Sequence, residues 1–266
     1  MRTAGVDLAA SPRLTAVAVI EWSVDSARLT DLVMPADDSR IHELLRTAPT
    51  EASEGQCPSE STYGTELGHV DRVGIDAPFG WPDAFVSFVV AQHRGELDTG
   101  GGLDNIENRR PLAYRLTDRV VVDKGWGRPL SVSADQIAHV AFRAAGLIAD
   151  LGVHDRVNGW TVEAYPAAAL KRWGLTSRGY KGVANRARLG ELVERLGEAA
   201  PWLELGVHRE RMIQDDNAFD AVITALIARA VALGKTHLPE PNDLEVARRE
   251  GWIHVPVCEL DALVVA

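Results

Sequence analysis

Acidic side chains recur within short apolar stretches at four places in this sequence. Asp7 follows Gly-Val near the start of the chain, Asp76 follows Gly-Ile, and Glu163 follows Thr-Val. Asp216 and Asp220 are four residues apart in a stretch of helical periodicity, so they share one face of a predicted helix. An acid within an apolar strand is destabilising unless it has a partner. Because ligands gather beyond the carboxyl ends of strands in sheets with helical crossovers, we expect these acids to converge on one site.

The chemistry that this convergence predicts is metal binding. Several carboxylates in one cleft raise one another's pKa unless a cation compensates their charge. Oxygen ligands without His or Cys partners favour Mg²⁺ or Mn²⁺. Two such ions, about 4 Å apart, activate water and stabilise the leaving oxygen of a phosphodiester. We therefore predict two ions held by five acids, of which all but Asp216 are also predicted to be catalytic: Asp7, Asp76, Glu163, Asp216 and Asp220.

Each of the strand acids also has a structural interpretation. Asp7 could cap a turn or pair with a buried arginine. Asp76 precedes Ala-Pro and could form an Asx-turn. Glu163 could form a salt bridge with Arg115 or Lys171. The sequence leaves these alternatives open.

The acids of the predicted helix differ in how strongly they indicate a site. Asp215 is expected to cap the helix, and Asp216 lies near its start, where acids interact favourably with the macrodipole. Asp220 is set among apolar residues, where a solvated helix face would not place an acid. We therefore expect Asp220 to contribute to the site and treat Asp216 as an assisting ligand.

One long stretch of the chain is basic. Residues 164–190 contain no acid, whereas six basic side chains fall within them: Lys171, Arg172, Arg178, Lys181, Arg186 and Arg188. Such a stretch is either a solvated face or a rim that contacts phosphate. We predict that Lys171 and Arg172, together with Arg115, bind substrate. Arg115 could instead form a structural ion pair with Asp118.

A sheet with flanking helices must position these residues. Residues 2–9, 14–22 and 27–34 predict a three-stranded antiparallel meander. Two inner strands are predicted at 70–75 and 159–165, and an edge strand at 252–257. Helices are predicted at about 39–47, 83–93, 133–150, 183–197 and 215–232. Residues 49–68 are predicted to form a surface loop, and residues 98–108 a glycine-rich loop.

Composition narrows the class of protein. With 266 residues, 46% of them hydrophobic, the chain can form one large domain with a sizeable core. A net charge of −10 argues against a surface that coats nucleic acid, although a local basic patch can still guide a polyanion. The two cysteines, Cys57 and Cys258, fit neither a disulfide framework nor a zinc motif. With no leader and no apolar run of membrane-spanning length in view, we expect a cytoplasmic protein without a membrane partner.

Five motifs occur in an order that resembles a known family. They are Gly-Val-Asp7-Leu-Ala, Gly-Ile-Asp76-Ala-Pro-Phe-Gly-Trp-Pro, Arg115-Leu-Thr-Asp118-Arg, Glu163-Ala-Tyr-Pro-Ala and Asp216-Asn-Ala-Phe-Asp220-Ala. From residue 4 to about 232 the sequence resembles the domain of unknown function 429 family, predicted nucleases of the RNase H-like superfamily. The resemblance implies an α/β fold with a mixed five-stranded sheet, its first three strands antiparallel, flanked by helices. It also implies metal-binding acids on the first strand, the fourth strand and the last helix.

The resemblance assigns residue numbers to the metal-binding acids and boundaries to the domain. The implied acids fall at Asp7, Asp76 and Asp220, with Glu163 as an extra acid on the fifth strand. We expect one RNase H-like domain over residues 1–266, with inserted loops and helices at about 95–150 and a C-terminal extension at 233–266. The core is expected to comprise about 2–35, 70–93 and 159–232.

Three functions remain open from the sequence. The favoured one is a Mg²⁺- or Mn²⁺-dependent nuclease that hydrolyses the phosphodiester bonds of DNA or RNA by direct attack of water. A phosphotransferase or ATPase of the actin and sugar-kinase fold also begins with Gly-x-Asp, but glycine is missing after Leu8, where a phosphate-binding hairpin would need it. The third is a binding protein that has kept the fold and lost catalysis.

Overall fold

In the computed structural model, helices cover both faces of a seven-stranded mixed sheet. The structure describes residues 1–45, 69–98, 103–133 and 135–264. The strands are β1 (Arg2–Asp7), β2 (Ala16–Trp22), β3 (Ala27–Val33), β4 (Arg72–Asp76), β5 (Thr161–Ala164), β6 (Leu203–Glu204) and β7 (Ile253–His254). The α-helices are α1 (Asp38–Leu45), α2 (Asp83–Arg94), α3 (Ile106–Ala113), α4 (Leu116–Asp123), α5 (Asp135–Asp150), α6 (Pro166–Arg172), α7 (Arg186–Ala199), α8 (Arg209–Gln214), α9 (Asp216–Ala232) and α10 (Leu244–Glu250).

The strand order is β6-β3-β2-β1-β4-β5-β7. Strands β1, β2 and β3 pair antiparallel, whereas β4 is parallel to β1 and β5 is parallel to β4. This confirms the predicted mixed sheet with three antiparallel strands at its start. The sheet has seven strands instead of five, because β6 and β7, each of two residues, extend its two edges. Strand β7 lies within the edge strand predicted at 252–257.

Strand β2 shows why the centre of the sheet is apolar throughout. Its residues Ala18 and Ile20 belong to a core cluster that includes much of α9, whereas Val17 and Val19 belong to a second cluster with α1 and α5. A strand that is covered on both faces buries successive side chains, so β2 is apolar from Ala16 to Ile20 and does not alternate there.

The predicted insertion at 95–150 consists largely of helix, with α3, α4 and α5 in its described part. Of the predicted glycine-rich loop at 98–108, residues 99–102 lie outside the described residues, and 106–108 belong to α3, which starts where the Asn105 side chain accepts a hydrogen bond from the Glu107 N–H. The surface loop predicted at 49–68 lies outside the described residues. No helix within the described ranges is long and apolar enough to cross a membrane.

Helix α9 packs directly against β1 and β4 because both strands present a glycine to it. A Cβ atom added to Gly5 would lie 2.1 Å from the carbonyl oxygen of Ala221 and 2.2 Å from the nitrogen of Ala225. A Cβ atom added to Gly74 would lie 2.7 Å from the carbonyl oxygen of Thr224. The two strands and the helix therefore approach at backbone contact, which only glycine permits here.

We expect Gly5→Ala to lower the free energy of unfolding by about 3 kcal/mol, the upper end of the usual range for overpacking. The new methyl group overlaps backbone atoms, so β1 and α9 must separate. Gly146→Ala is the matched control, because Gly146 is on the exposed face of α5 and no heavy atom lies within 4 Å of its added Cβ. The control should raise stability by about 0.5–1 kcal/mol. Urea denaturation measures both, and wild-type stability for Gly5→Ala would contradict the close approach.

The edge strand β7 holds a buried histidine in its neutral form. Nε2 of His254 donates to the carbonyl of Val157 at 2.8 Å, and Nδ1 accepts from the hydroxyl of Thr236 at 2.9 Å. Burial lowers the pKa of His254 to about 4, with Arg72 acting in the same direction and Asp155 opposing it. His254 is therefore a core histidine whose protonation opposes folding.

We expect acid to destabilise the protein through His254. The pKa of His254 in the folded protein lies below the value near 6.5 of an unfolded chain. The stability that depends on neutral His254 is therefore fully present above pH 6.5 and is lost as the pH falls towards 4. Relative to His254→Gln, which keeps a donor and an acceptor but does not titrate, the wild type should lose up to about 1.4 kcal/mol per pH unit. Urea denaturation at pH 7, 6 and 5 measures the difference. Parallel pH profiles of the two proteins would contradict it.

Candidate metal centre

Three of the predicted acids meet at the carboxyl ends of β1 and β4. Asp7 and Asp76 are the last residues of these neighbouring parallel strands and lie side by side in register. Asp220 reaches them from the second turn of α9, which packs on the same two strands. One carboxylate oxygen from each residue lies within 4.8 Å of the other two. These three side chains could together hold a metal ion.

Strand periodicity explains why both strand acids point towards α9. Alternate residues of a strand face the same side of the sheet. Asp7 is two residues after Gly5, and Asp76 is two residues after Gly74, and both glycines contact α9. The sequence Gly-x-Asp at the end of each strand therefore combines close packing of the helix with an acid directed at its first turns.

The three carboxyl groups are costly to ionise together. Burial raises the pKa of Asp7 well above its ordinary value, and the neighbouring charges of Asp220 and Asp76 raise it further. Burial likewise raises the pKa of Asp76 to about 7. The pKa of Asp220 is raised mainly by burial, although Lys181 and Tyr180 act against the shift. Such a cluster carries excess negative charge at neutral pH, which a cation can compensate.

Two residues that were not predicted as part of the site contact Asp220. The Lys181 ammonium lies 2.5 Å from Oδ2 of Asp220, and the Tyr180 hydroxyl donates to Oδ1 at 2.8 Å. Although partial desolvation of the ammonium opposes it, the charges of Asp220, Asp76 and Asp7 raise the pKa of Lys181. In the sequence, Lys181 counted only as one member of the basic stretch. The signal for its position is Gly-Tyr-Lys-Gly, whose outer glycines have φ of 76° and 86° and so form a tight loop.

The other helix acids lie beside the group of three. Asp215 caps α9 as predicted, because its carboxylate accepts a hydrogen bond from the Asn217 N–H at 3.0 Å. Asp216 accepts a hydrogen bond at 3.0 Å from the backbone N–H of Gly182, next to Lys181. The role of Asp216 as a metal ligand stays a prediction.

Glu163 lies in the same part of the sheet but is engaged elsewhere. Its two oxygens accept hydrogen bonds from the Arg115 guanidinium at 2.7 and 2.8 Å, and Oε2 also accepts from the Phe79 N–H at 2.9 Å. Burial raises the pKa of Glu163, although Arg115 opposes the shift. The structure thus contains the salt bridge to Arg115 that the sequence left open, and the metal-binding role of Glu163 stays a prediction.

Arg115 is buried and its five N–H donors are all used. Besides the two bonds to Glu163, it donates to both carboxylate oxygens of Asp118 and to the carbonyl of Glu250. The ion pair of Arg115 with Asp118, the structural alternative from the sequence, is therefore present. In this arrangement the guanidinium has no N–H left for a phosphate, and the substrate-binding role of Arg115 stays a prediction.

The other two predicted substrate-binding residues have different partners, and their role stays a prediction. The Lys171 ammonium donates to the carbonyl of Gly125 at 2.6 Å and lines a surface cavity with Arg128 and Arg178. Arg172, half-buried, donates from Nε to the carbonyl of Pro256 at 3.3 Å. The lining of that cavity includes Lys171 but not Arg172.

A cavity of about 270 Å³ opens beside the acids and is called here the carboxylate cavity. Its walls include Asp7, Asp76, Glu163, Tyr165 and Lys181. Strand ends supply the acids, and the loop before α7 supplies the lysine. A small anionic group that enters this cavity would therefore lie beside both the acidic side chains and the ammonium of Lys181.

Comparison with known proteins places these features in a family. The model of a family described as "Protein of unknown function (DUF429)" matches residues 5–244. The match confirms the family that the five motifs resembled, and its description names no activity. No match was found among curated proteins or among solved structures.

Proposed function

The chain belongs to the DUF429 family, and we propose that it is a divalent-metal-dependent phosphodiesterase that hydrolyses nucleic acid. The observation that carries this proposal is the group formed by Asp7, Asp76 and Asp220. Three segments far apart in the sequence bring their carboxylates within 4.8 Å of one another in a largely buried position. Lys181 supplies one positive charge to three carboxylates, so the ionised group still opposes folding unless a further cation binds.

The donor set favours Mg²⁺ or Mn²⁺ as the bound metal. All three ligands are carboxylates, and the group includes neither His nor Cys. Hard oxygen donors of this kind select Mg²⁺, Ca²⁺ or Mn²⁺ over zinc or copper. The prediction of two ions stays a prediction. A second ion would draw Asp216 from the Gly182 N–H or Glu163 from Arg115.

The proposal assigns a role to each of three residues around the carboxylates: Tyr180, Lys181 and Glu163. When bound, a divalent ion lowers the pKa of water and stabilises negative charge on a leaving oxygen. The Tyr180 hydroxyl fixes the rotamer of Asp220, and Lys181 supplies a positive charge on the wall of the carboxylate cavity. Glu163 accepts the Phe79 N–H and so holds the turn that follows Asp76. A phosphodiester is the anion that this mixture of metal-binding acids and one ammonium suits.

Cleavage assays test the proposal directly. We expect the purified full chain to cleave labelled DNA or RNA with Mg²⁺ or Mn²⁺ and to lose all cleavage in EDTA. Substrates should include single-stranded and duplex forms of each nucleic acid. Release of phosphate from ATP, without cleavage of any nucleic acid, would instead favour the phosphotransferase class. Absence of both activities, with no change in melting temperature on adding either metal, would refute the proposal.

Lys181→Met should raise the affinity of the centre for Mg²⁺. The ammonium competes with a metal ion for the charge of Asp220, so its removal leaves more negative potential at the centre. Because the Lys181 side chain is 56% exposed, solvent screening limits the expected gain to about tenfold. Isothermal titration of metal into each protein measures the effect. Lys181→Arg, which keeps the charge, is the control, and weaker binding by Lys181→Met would contradict the prediction.

A further inference from the structure

Two further cavities lie next to the carboxylate cavity and share lining residues in series. The first is the surface cavity lined by Lys171, Arg128 and Arg178, and it is called here the Trp126 cavity. It has a volume of about 620 Å³ and shares Tyr165 with the carboxylate cavity. The second, called here the Arg119 cavity, has a volume of about 560 Å³ and shares Arg128 with the Trp126 cavity. The three cavities therefore border one another in series, and this row of cavities, which begins at the candidate metal-binding acids, is called here the path.

The path beyond the acids is strongly basic, although the whole chain carries a net charge of −10. Its walls contain six basic side chains, Arg109, Arg110, Arg119, Arg128, Lys171 and Arg178. They contain two acids, of which Asp118 is buried against Arg115 and Glu107 pairs with Arg110. A local concentration of positive charge on an acidic protein indicates an anionic ligand.

Three of these arginines have no competing partner in the described part of the chain. Arg119, Arg128 and Arg178 are exposed, and none of their guanidinium groups forms an ion pair with another described residue. Lys171 is also exposed and donates one hydrogen bond, to the carbonyl of Gly125, which leaves further donors free. These groups can bind phosphate without first breaking a salt bridge.

Aromatic rings lie between the basic side chains. Trp126 is partly exposed in the Trp126 cavity and meets the ring of His237 edge-on at a centroid distance of 5.1 Å. Tyr165 forms the wall between the Trp126 cavity and the carboxylate cavity. Gly127 allows the chain to pass over this ring, since a Cβ there would lie 2.8 Å from Cε1 of Tyr165. Rings interleaved with basic groups can accept unpaired bases by stacking.

We propose that a single strand of nucleic acid binds along this path, with phosphates on Lys171, Arg128 and Arg178 and a base against Trp126. The inference rests on the proposed function, because the path begins at the centre where cleavage would occur. The concave cavities, of the size that holds small ligands, admit separate nucleotides. A duplex keeps its bases stacked inside and offers no free base face to Trp126.

Equilibrium binding tests the path independently of cleavage. Fluorescence anisotropy of labelled oligo(dT) and oligo(U) is measured with EDTA present, so that hydrolysis does not contribute. The double variant Arg128→Glu/Arg178→Glu should bind at least about tenfold more weakly. The slope of the logarithm of the binding constant against the logarithm of the salt concentration should become shallower by the equivalent of one to two phosphate contacts. Trp126→Ala should weaken binding by about tenfold. Arg195→Glu is the control for charge reversal at one site elsewhere, because Arg195 is exposed on α7 and is not among the residues that line the three cavities.

The outcomes separate this inference from the proposed function. Wild-type affinity in the double variant, or equal affinity of the wild type for a duplex of the same length, would overturn the inference even if the enzyme cleaves nucleic acid. Binding that depends on Arg128, Arg178 and Trp126 would support the inference even in a protein that cleaves nothing with Mg²⁺ or Mn²⁺. That second case, together with no release of phosphate from ATP and no change in melting temperature on adding either metal, would refute the proposed function alone.

Discussion

Replacing Asp7 with Asn should abolish metal-dependent cleavage and leave the protein folded. Asp7 supplies one of the three carboxylates of the candidate centre, and an amide is a weaker metal ligand than a carboxylate. Changes in residues that only support a metal ligand typically reduce affinity or activity by about 10- to 100-fold. Loss of a direct ligand is therefore expected to reduce the rate by more than about 100-fold.

The same variant should be at least as stable as the wild type when metal is absent. Burial and the charges of Asp220 and Asp76 raise the pKa of Asp7, so its ionised form opposes folding at neutral pH. Asn has nearly the same shape and no charge. Mg²⁺ or Mn²⁺ should therefore raise the melting temperature of the wild type and have little effect on Asp7→Asn.

Thermal melting in EDTA, Mg²⁺ and Mn²⁺, followed by a cleavage assay on the same samples, measures both effects. Asp25→Asn is the matched control, because Asp25 is exposed between β2 and β3 and has the same change of charge. The control should behave as the wild type does. Unchanged cleavage by Asp7→Asn would remove Asp7 from the catalytic centre, and a full metal-dependent rise in its melting temperature would remove it from the metal site.

The central strands could be predicted because apolar runs bounded by turn residues leave few alternatives. The edge strands could not be predicted to the residue, since a pairing of two residues such as β6 depends on tertiary contacts. Helix α6 was missed for a different reason. Pro166 directly follows the strand predicted at 159–165, and a proline fits the end of a strand as well as the first turn of a helix, which is its place here.

The site could be predicted where an acid had to lie at the end of a buried strand. Asp7 and Asp76 each follow an apolar run, and strand parity places them on one face. The contact of Lys181 with Asp220 depends on how the Gly179–Gly182 loop returns to α9, which spacing does not reveal. Glu163 illustrates a further limit. A buried carboxylate is satisfied equally by a metal or by an arginine, and its arginine lies 48 residues away in the sequence.

Arg115→Met should destabilise the protein by about 3–5 kcal/mol, the usual effect of removing one partner of a buried ion pair. The substitution leaves the carboxylates of Glu163 and Asp118, which are 3% and 0% exposed, without their main cation. It also loosens Glu163, whose bond to the Phe79 N–H holds the turn after Asp76. Metal affinity should therefore fall together with stability.

Two further variants distinguish the effect of losing the positive charge of Arg115 from the effect of losing its side-chain volume. Arg115→Lys should recover only part of the stability, because an ammonium cannot form the paired bonds that the guanidinium makes with both carboxylates. The triple variant Arg115→Met/Asp118→Asn/Glu163→Gln carries no uncompensated charge in this cluster and should be more stable than Arg115→Met alone. Urea denaturation measures all three proteins.

The two roles considered for Arg115 predict opposite patterns in these measurements. A guanidinium that contacts a substrate phosphate is exposed in part, so Arg115→Met would raise KM and leave stability nearly unchanged. A guanidinium that holds Glu163 and Asp118 changes the free energy of unfolding first, and activity falls through the loosened turn at Asp76. The five engaged N–H groups favour the second pattern. If Arg115→Met lowers the free energy of unfolding by less than about 1 kcal/mol and raises KM strongly, the substrate-binding role of Arg115 is supported and the structural role is contradicted.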